Sequence, residues 1–326
     1  MQSSRRTMTT WLLPQSTRWY STTIHAARQM TKLAPVVPHL KAQSVLDAQN
    51  QHHTNEVDRQ LHTHGVLKIT LGFSDNESQY LESLVKNLGT CHDHGPPITH
   101  SATRGLFWDV RPTTPSLAKD NRARSETMSE FPWHTDCSYE HDPPQFFALQ
   151  VLQPDRCGGG TLSALRIERI CSLLSPDAKS TLFKPEFEIK IPPEFVKDPT
   201  KGNILGSILS NSARDKSTVM RYREDIITPI TASASLALKE LRSALKELEL
   251  SQDAILHLKS EDMPEGSIII FDNRRWLHAR NQIKDPNRHL RRVRWNATPF
   301  SGLSVIRRGG WYCALYFNKD WRGSTE

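Results

Sequence analysis

The chain has 326 residues, a net charge of +7, 37% hydrophobic residues and five widely spaced cysteines. This length can bury a substantial core in one large or two smaller domains, and no apolar run approaches the roughly 18 residues that a membrane-spanning helix needs. The cysteines form no Cys-x-x-Cys pair, so neither a disulfide framework nor a structural zinc site is indicated.

The amino-terminal segment carries most of the excess positive charge. Residues 1–46 contain six basic residues and no Asp or Glu, which leaves a net charge of +1 for the remainder. A nucleic-acid surface would need its basic residues on the folded domain, so we expect no nucleic-acid partner and no membrane insertion. The Arg-, Ser- and Thr-rich composition is typical of a mitochondrial transit peptide. We predict a transit peptide and linker over residues 1–45, a single domain over residues 46–326, and location in the mitochondrial matrix, or in the cytoplasm if the leader is only a basic tail.

The first predicted elements lie between residues 64 and 130. Apolar alternation predicts a strand over residues 64–71. Residues 74–77 form a capping-box pattern before a helix that Gly89 is placed to end. A further strand is predicted over residues 102–110, and the polar, proline-containing stretch 111–130 is predicted to be a loop.

The rest of the chain alternates short strands with a few helices. Strands are predicted over residues 145–153, 161–165, 185–191, 218–222, 266–272, 277–282 and 288–299. Helices are predicted over residues 166–174, 175–183 and 232–248, the last with its leucines on one face. Many short strands without βαβ alternation favour a mainly β fold with helical insertions, a double-sheet jelly roll, over a parallel α/β sheet.

The triplet His134-Thr135-Asp136 and the distant His278 are the main candidate metal ligands. His134 and Asp136 lie two residues apart, so in an extended segment their side chains point to the same face. Two imidazoles and one carboxylate on one side of a metal leave coordination positions open, as in non-haem Fe(II) oxygenases. A glycine turn with Thr161 and a later strand ending near His278 follow in order, which makes the pattern more specific than the triplet alone.

A second group of candidate ligands is the sequence Cys-His-Asp-His at residues 91–94. The adjoining Gly-Pro-Pro at residues 95–97 marks a loop, and no partner ligands follow. The sequence therefore favours a polar surface loop here over a metal cluster.

Four motifs together resemble the iron- and 2-oxoglutarate-dependent dioxygenases of the branch that contains taurine dioxygenase, clavaminate synthase and γ-butyrobetaine hydroxylase. They are Trp133-His134-Thr135-Asp136, Gly158-Gly159-Gly160-Thr161, residues 271–275 with His278, and residues 288–292. The resemblance covers approximately residues 60–300. It implies a clavaminate synthase-like jelly roll, or double-stranded β-helix, with the metal at its mouth. It also implies Fe(II), 2-oxoglutarate and O₂ as reactants, with hydroxylation of a small molecule and release of succinate and CO₂.

The same resemblance assigns roles to individual residues. His134, Asp136 and His278 are implied to hold Fe(II) as the catalytic centre. Thr161 and Arg288 are implied to bind the distal carboxylate of 2-oxoglutarate. An arginine suits that role because its planar guanidinium meets a carboxylate through two parallel charge-assisted hydrogen bonds.

Several arginines compete for these roles. If residues 288–299 form a strand, Arg288, Arg292 and Arg294 share one face and Arg291 lies on the other. We therefore assign Arg288 to 2-oxoglutarate and Arg292 to the substrate, with Arg288, Arg291 and Arg292 remaining alternatives for the co-substrate.

Two further arginines, Arg221 and Arg223, favour a small anionic or amino-acid-like substrate. An equally good interpretation is that they pair with the neighbouring Glu224 and Asp225 in a charged strand or loop. The sequence leaves both interpretations open.

Three alternative functions remain on the sequence alone. Trp133, Tyr139 and Trp276 would suit an aromatic cage in a γ-butyrobetaine- or trimethyllysine-type hydroxylase, although no amino-terminal zinc module is present and such tryptophans often simply pack. A zinc-dependent hydrolase could use the same three ligands but leaves Thr161 and Arg288 without a role. A jelly roll without catalysis could serve as a binding module. A homo-oligomer is compatible with the sequence.

Overall fold

Short strands, most of them four to ten residues long, supply much of the apolar core of the described chain. The computed structural model describes residues 35–101, 104–113, 122–251 and 253–300, so residues 1–34 of the predicted transit peptide and linker lie outside the described residues. The strands are β1 His39–Ala42, β2 Val66–Leu71, β3 Phe107–Val110, β4 Phe131–His134, β5 Pro144–Gln153, β6 Leu162–Arg166, β7 Phe187–Lys190, β8 Asn203–Gly206, β9 Leu209–Asn211, β10 Thr218–Met220, β11 Ile227–Pro229, β12 Ile255–Leu258, β13 Ser267–Asp272, β14 Trp276–Arg280 and β15 His289–Ala297. The helices are α1 Gln51–His64, α2 Gln79–Cys91, α3 Ile167–Leu173, α4 Pro176–Leu182 and α5 Ala232–Glu249.

Two sheets form the body of the described chain. The larger has six strands in the order β1-β2-β13-β5-β15-β3, and the smaller has four in the order β12-β6-β14-β4. Only the β1–β2 pair is parallel; the other pairs in these two sheets are antiparallel. Smaller sheets, β11-β7-β8 and β10-β9, lie in the segment between α4 and α5.

The six-stranded sheet buries apolar side chains on both faces. One core cluster joins Phe147, Val151 and Phe271 of this sheet to Leu165 and Leu277 of the four-stranded sheet. A second cluster covers the other face, where side chains of β2, β5, β13 and β15 pack with α1 and α2. A double sheet with one helix-covered face results, and the jelly-roll prediction is confirmed.

The helices begin where their sequences provide caps. The Ser175 side chain accepts a hydrogen bond from the backbone N–H of Ala178 at 3.1 Å, with Pro176 in the first turn of α4. Thr231 caps α5 in the same way through Ala234, at 3.0 Å. The leucines of α5 that were predicted to share a face are buried in the core.

The prediction for α2 was wrong at both ends. Residues 74–77 do not form the predicted capping box: the N-cap is Ser78, and the Asp75 carboxylate accepts hydrogen bonds from the backbone of Gln79 at 2.8 Å and Tyr80 at 2.9 Å, so the helix begins later. Gly89 lies inside the last turn and does not end the helix, which runs to Cys91. A single glycine destabilises a helix by only about 1 kcal/mol relative to alanine, and α2 also packs a face of buried side chains against the core.

The folded part of the chain starts ahead of residue 46, where the sequence-based boundary was drawn. Strand β1 pairs in parallel with β2, and a short 3-10 helix, Val45–Gln49, joins it to α1. Neither element has a strong apolar pattern: β1 has four residues, and α1 is mostly polar with only Thr54, Val57 and Leu61 buried. Among the described residues, no helix is both long and apolar enough to cross a membrane.

Candidate metal centre

Strand pairing brings the two candidate histidines together. His134 ends β4 and His278 lies in β14, and the two are direct partners in this antiparallel pair. Asp136 lies in the turn that follows β4, and the next residue of that turn, Cys137, has a positive φ of 56°. His134 and His278, 144 positions apart in the sequence, therefore meet because their two strands are neighbours in the four-stranded sheet.

The three side chains, which we call the metal cluster, converge on one point. Nε2 of His134 lies 3.8 Å and Nε2 of His278 lies 3.7 Å from Oδ1 of Asp136. All three donor atoms lie within 4.8 Å of one another, and all three residues are buried. Ligands about 2.1 Å from a shared ion are separated by about 3 to 4 Å, so the cluster fits one metal ion.

The ring nitrogens of the histidines leave the required lone pairs free. His134 donates from Nδ1 to the carbonyl of Pro132 at 2.8 Å, which fixes the tautomer with an unprotonated Nε2. The His278 ring lies against Phe147, with ring centroids 4.6 Å apart, and that of Phe131 stacks on His134 at 3.6 Å. Aromatic packing therefore holds both imidazoles in place.

Two neighbouring side chains, Asn273 and Arg292, hold Asp136 in place. Asn273 accepts from the Asp136 backbone N–H at 2.7 Å and donates to its carbonyl at 3.0 Å, while a further bond to Pro144 fixes the amide. Nη1 of Arg292 lies 3.1 Å from each carboxylate oxygen. Arg292 thus contacts the carboxylate of the metal cluster.

Electrostatics keep this cluster ready for a cation. Burial alone would raise the pKa of Asp136, but Arg292 and the neighbouring His278 outweigh it and hold the pKa well below its ordinary value. Burial, reinforced by the neighbouring His278, lowers the pKa of His134 well below its ordinary value. The aspartate is therefore anionic and His134 neutral at pH 7, the protonation states that metal ligands need.

A cavity of about 460 Å³, which we call the inner cavity, extends from His134 and His278 to Arg288. Arg288 is buried, and no hydrogen bond or ion pair of its guanidinium is found within the described part of the chain. Burial lowers its pKa to about 10, so it remains charged at pH 7. The charge of Asp155 partly offsets this effect of burial, but no hydrogen bond joins the two side chains. A buried cation without a hydrogen-bonded anion is costly unless an anionic ligand meets it.

The other arginines near this cavity are already engaged. Arg280 donates to the carbonyls of Thr127 and Ser129, the latter at 2.6 Å. Arg291 lies on the opposite face of β15 and pairs with Asp109 at 2.8 Å. These partners leave Arg288 as the arginine of the inner cavity that is free to bind an anion, as the strand alternation indicated.

The glycine turn before β6 positions Arg288. The carboxylate of Asp155 accepts hydrogen bonds from four backbone N–H groups, two in the turn and two at Lys284 and Asp285. The backbone N–H of Arg288 then donates to the Asp285 carbonyl at 3.1 Å. A Cβ on Gly159 would lie 2.6 Å from the Gln282 carbonyl oxygen, which explains why this turn needs glycine.

The remaining candidates from the sequence lie in different places. Thr161 precedes β6, and its backbone N–H donates to Asn281; it is absent from the lining of the inner cavity, although Leu162 belongs to it. Arg221 is buried away from the cluster, where it donates to the carbonyls of Ser207 and Glu140. Arg223 lies beside the metal cluster, next to His134 across a single β-bridge.

The tryptophans considered for an aromatic cage pack elsewhere. Trp276 is buried and donates to the His64 carbonyl at 3.1 Å. Trp133 donates to Glu249 at 2.6 Å. Only Tyr139 of the three lines a cavity beside the metal cluster, so these residues do not form a cage.

Sequence reasoning did not identify the roles of Asn273, Asp155 and Arg124, all of which act at or near this site. Asn273 stands in a motif that was noted, but its bonds to Asp136 depend on a strand contact 137 positions away. Asp155 opens the glycine turn, and an acid before several free N–H groups is a signal that could have revealed it. Arg124 lies in the segment that was predicted only as a loop.

Comparison with known proteins supports the resemblance. Residues 29–176, less than half of the chain, match the family described as "Taurine catabolism dioxygenase TauD, TfdA family". An alpha-ketoglutarate-dependent sulfonate dioxygenase of Saccharomyces cerevisiae is 32% identical over 115 residues, which are 34% of this chain and 27% of that protein. The match therefore spans about a quarter of that relative's length.

Solved structures match over most of the chain. Asparagine oxygenase in complex with Fe(II), hydroxyasparagine and succinate has a TM-score of 0.60 at 18% identity, over 87% of this chain and 92% of that one. The non-haem iron oxygenase OrfP in complex with Fe has a TM-score of 0.54 at 17% identity, over 75% and 80%. At these identities the likeness shows the fold. The resemblance inferred from the motifs is confirmed: the chain is related in sequence to the TauD, TfdA dioxygenases and shares the fold of iron-dependent oxygenases.

Proposed function

We propose that this protein is an Fe(II)- and 2-oxoglutarate-dependent dioxygenase that hydroxylates a small anionic or amino-acid-like substrate and releases succinate and CO₂. The observation that carries the proposal is that one cavity joins the metal cluster to the unpaired guanidinium of Arg288. A diacid with its keto end at the metal and its distal carboxylate on Arg288 would satisfy both ends of the cavity.

The residues have separate parts in this proposal. His134, Asp136 and His278 would hold Fe(II) through Nε2, a carboxylate oxygen and Nε2. Bound Fe(II) would supply the redox chemistry that couples O₂ reduction and decarboxylation of 2-oxoglutarate to oxidation of a substrate C–H bond. Arg288 would bind the distal carboxylate and so orient the co-substrate, and the apolar walls would exclude water.

Anaerobic titration tests the proposal. Fe(II) added with 2-oxoglutarate should give a visible charge-transfer band that needs both components, and admission of O₂ should then release succinate. Arg288→Lys is the matched variant, because it keeps the charge but loses the planar fork, and it should weaken binding of 2-oxoglutarate. A protein well loaded with iron that shows neither band nor succinate would contradict the proposal.

A zinc-dependent hydrolase is the second candidate that uses the same ligands. It would explain the metal cluster but not a buried, unpaired Arg288 at the far end of the cavity. Zn(II)-dependent ester or amide cleavage that is indifferent to 2-oxoglutarate would favour it. A binding module without catalysis would bind 2-oxoglutarate without succinate release.

The substrate is proposed only at the level of a class. The related proteins have names or bound molecules that point to sulfonates, asparagine and arginine, all small polar compounds. Arg223 beside the metal cluster supports an acidic group on the substrate.

Mitochondrial import is a separate proposal that depends on the acid-free, arginine-bearing residues 1–45. A carboxy-terminal fluorescent fusion should enter mitochondria, and the same fusion without residues 1–34 should not. Equal import of both fusions would count against a transit peptide.

A further inference from the structure

A second cavity adjoins the metal cluster on the side of Asp136, and we call it the side cavity. Its volume is about 350 Å³, and it shares His134 and Arg292 with the inner cavity. Tyr139 and Phe195 stack on each other in its wall, with ring centroids 5.3 Å apart. A small molecule in the side cavity would lie beside the metal cluster against a partly aromatic surface.

The described lining of the side cavity carries more positive than negative charge. Its charged members are four arginines and one acid: Arg124, Arg223, Arg292, Arg294 and Asp136. Asp136 is paired with Arg292 and belongs to the metal cluster, so a cation would neutralise it further. Arg294 is buried and donates to Cys137 and Thr99 in the wall. The charge available to a substrate therefore comes from the other two arginines.

Arg124 and Arg223 share a single carboxylate, that of Asp225, and we call these three residues the rim triad. Arg223 meets Asp225 through two bonds, from Nε at 2.8 Å and from Nη2 at 2.9 Å. Arg124 approaches the same carboxylate through Nη1 at 3.4 Å. Two cations against one anion leave the rim triad with one positive charge.

The rim triad is connected directly to the metal cluster. The guanidinium carbons of Arg223 and Arg124 lie 5.5 and 5.7 Å from the ring centroid of Phe131. The same ring stacks on His134, with ring centroids 3.6 Å apart. An acidic group on the rim triad would thus place the rest of a small substrate beside Phe131 and next to the metal cluster.

An amino acid would bring an ammonium group, and among the described residues no carboxylate at the side cavity is free to pair with it. Asp225 is occupied by two arginines, and Asp136 is needed by the metal. Glu126, which follows the lining residue Ser125, accepts hydrogen bonds from Arg104, Trp108 and the Ala123 backbone. Moving an ammonium group from water into a site without a hydrogen-bond acceptor is strongly unfavourable.

We infer that the substrate is an organic anion without an ammonium group, a carboxylate, a sulfonate or a sulfate ester, whose acidic group binds the rim triad. This inference rests on the proposed dioxygenase function and narrows its substrate class. It separates this chain from the amino acids bound in the asparagine and arginine oxygenase structures, whose fold it shares.

Matched substrate pairs test the inference. Butyrate is compared with its α-amino derivative and propanesulfonate with its ω-amino derivative, by substrate-dependent succinate release and product mass. We expect kcat/KM to be at least about tenfold higher for the amine-free member of each pair that is turned over, because the aminated member must desolvate its ammonium group without a partner carboxylate. The carboxylate and sulfonate arms show which acidic group fits better. Preference for the aminated members, or turnover of no member of any pair, would overturn the inference.

Substitutions of single arginines test whether the rim triad binds the acidic group of the substrate. Arg223→Gln should lower kcat/KM for the amine-free anion about tenfold or more, and Arg124→Gln, in which the bidentate pair of Arg223 remains, should act in the same direction but less. Arg291→Gln removes an arginine on the far face of β15 and serves as the control, with unchanged discrimination. Unchanged kcat/KM in both rim variants would overturn the assignment to the rim triad.

The Fe(II)–2-oxoglutarate band separates the two levels of failure. Each protein is assayed only after the band shows that it is folded and loaded. A wild-type protein without the band would contradict the dioxygenase proposal itself. A wild-type protein that forms the band but prefers aminated substrates contradicts only the substrate class.

Discussion

Two clusters of histidines around a carboxylate lie on opposite faces of the six-stranded sheet. Adjacent residues of β5 show this, because Phe147 packs against His278 of the metal cluster while Phe146 stacks on His94 at 4.8 Å. The second cluster, the Asp58 cluster, consists of Asp58 with His62, His92 and His94. His62 and His94 each lie 3.0 Å and His92 lies 3.6 Å from its carboxylate.

The two clusters differ in the use of their ring nitrogens. His94 accepts from the Trp295 indole at Nδ1 and must therefore donate to Asp58 from Nε2, so both nitrogens are engaged within the protein. In the metal cluster, His134 engages only Nδ1 and leaves Nε2 directed at Asp136 and His278. Histidine and carboxylate content does not distinguish a metal site from a structural cluster; the direction of the free lone pairs does.

Removal of the central carboxylate should affect the two clusters most differently. Asp136→Ala should lower 2-oxoglutarate-dependent succinate release by about 100-fold or more, because even residues outside the first coordination shell change affinity or activity 10- to 100-fold. Asp58→Asn should leave this activity unchanged and lower the thermal midpoint instead. Steady-state kinetics and thermal unfolding of both variants provide the measurement. Loss of iron-dependent activity in Asp58→Asn would contradict the distinction.

Arg288 should carry the affinity for the co-substrate. Arg288→Gln removes two charge-assisted bonds, and we expect the KM for 2-oxoglutarate to rise about 100-fold. Arg291→Gln, which changes an arginine of β15 that pairs with Asp109 outside the inner cavity, should not change it. A similar KM in the two variants would show that another group binds the distal carboxylate.

Asn273 should act as a positioning residue for the metal cluster. Asn273→Ala removes three hydrogen bonds that fix Asp136 and Pro144, and we expect Fe(II) affinity to fall about tenfold. Asn296→Ala removes a comparable amide clamp between Gly95 and Gln145 and provides the control. Equal Fe(II) affinity in both variants, measured by anaerobic titration, would show that Asn273 only supports the fold.

The Asp58 cluster should make stability depend on pH. Burial lowers the pKa of His94 against the opposing effect of Asp58, so the folded protein binds fewer protons here than the unfolded chain. Stability should then fall as the pH drops below about 6.5, by at most about 1.4 kcal/mol per pH unit for this group. His100, whose pKa burial lowers to about 2, acts in the same direction elsewhere. Urea unfolding between pH 5 and 7.5 should show a shallower pH dependence for His94→Gln than for the wild type, and equal slopes would refute the assignment.

The sequence predicted the metal cluster better than the Asp58 cluster, for a physical reason. His134 and Asp136 are neighbours in a local pattern, and Arg288 and Arg292 both line the inner cavity as the predicted alternation required, although Arg288 lies just ahead of β15. The segment 91–94 was predicted to be a polar surface loop, and Cys91 is exposed, but His94 is buried because Asp58 covers it from α1. That helix is too polar to show an apolar period.

The contacts of two predicted substrate arginines depend on the pairing of distant strands, which the sequence does not show. Arg292 was assigned to the substrate, yet its guanidinium lies on Asp136, and Arg221 points to backbone carbonyls away from the metal cluster. Both outcomes depend on which neighbours the sheets bring within about 3 Å, and no local pattern contains that information. The tryptophans of the proposed cage pack in the body of the fold for the same reason.

A structure of crystals grown anaerobically with Mn(II) and 2-oxoglutarate would test most directly whether the metal cluster and Arg288 bind the two ends of the keto acid. We expect one metal ion bound by Nε2 of His134, the Asp136 carboxylate and Nε2 of His278, with the distal carboxylate of the keto acid paired to Arg288. A metal ion bound at the Asp58 cluster instead, or a keto acid whose distal carboxylate meets a group other than Arg288, would contradict the account.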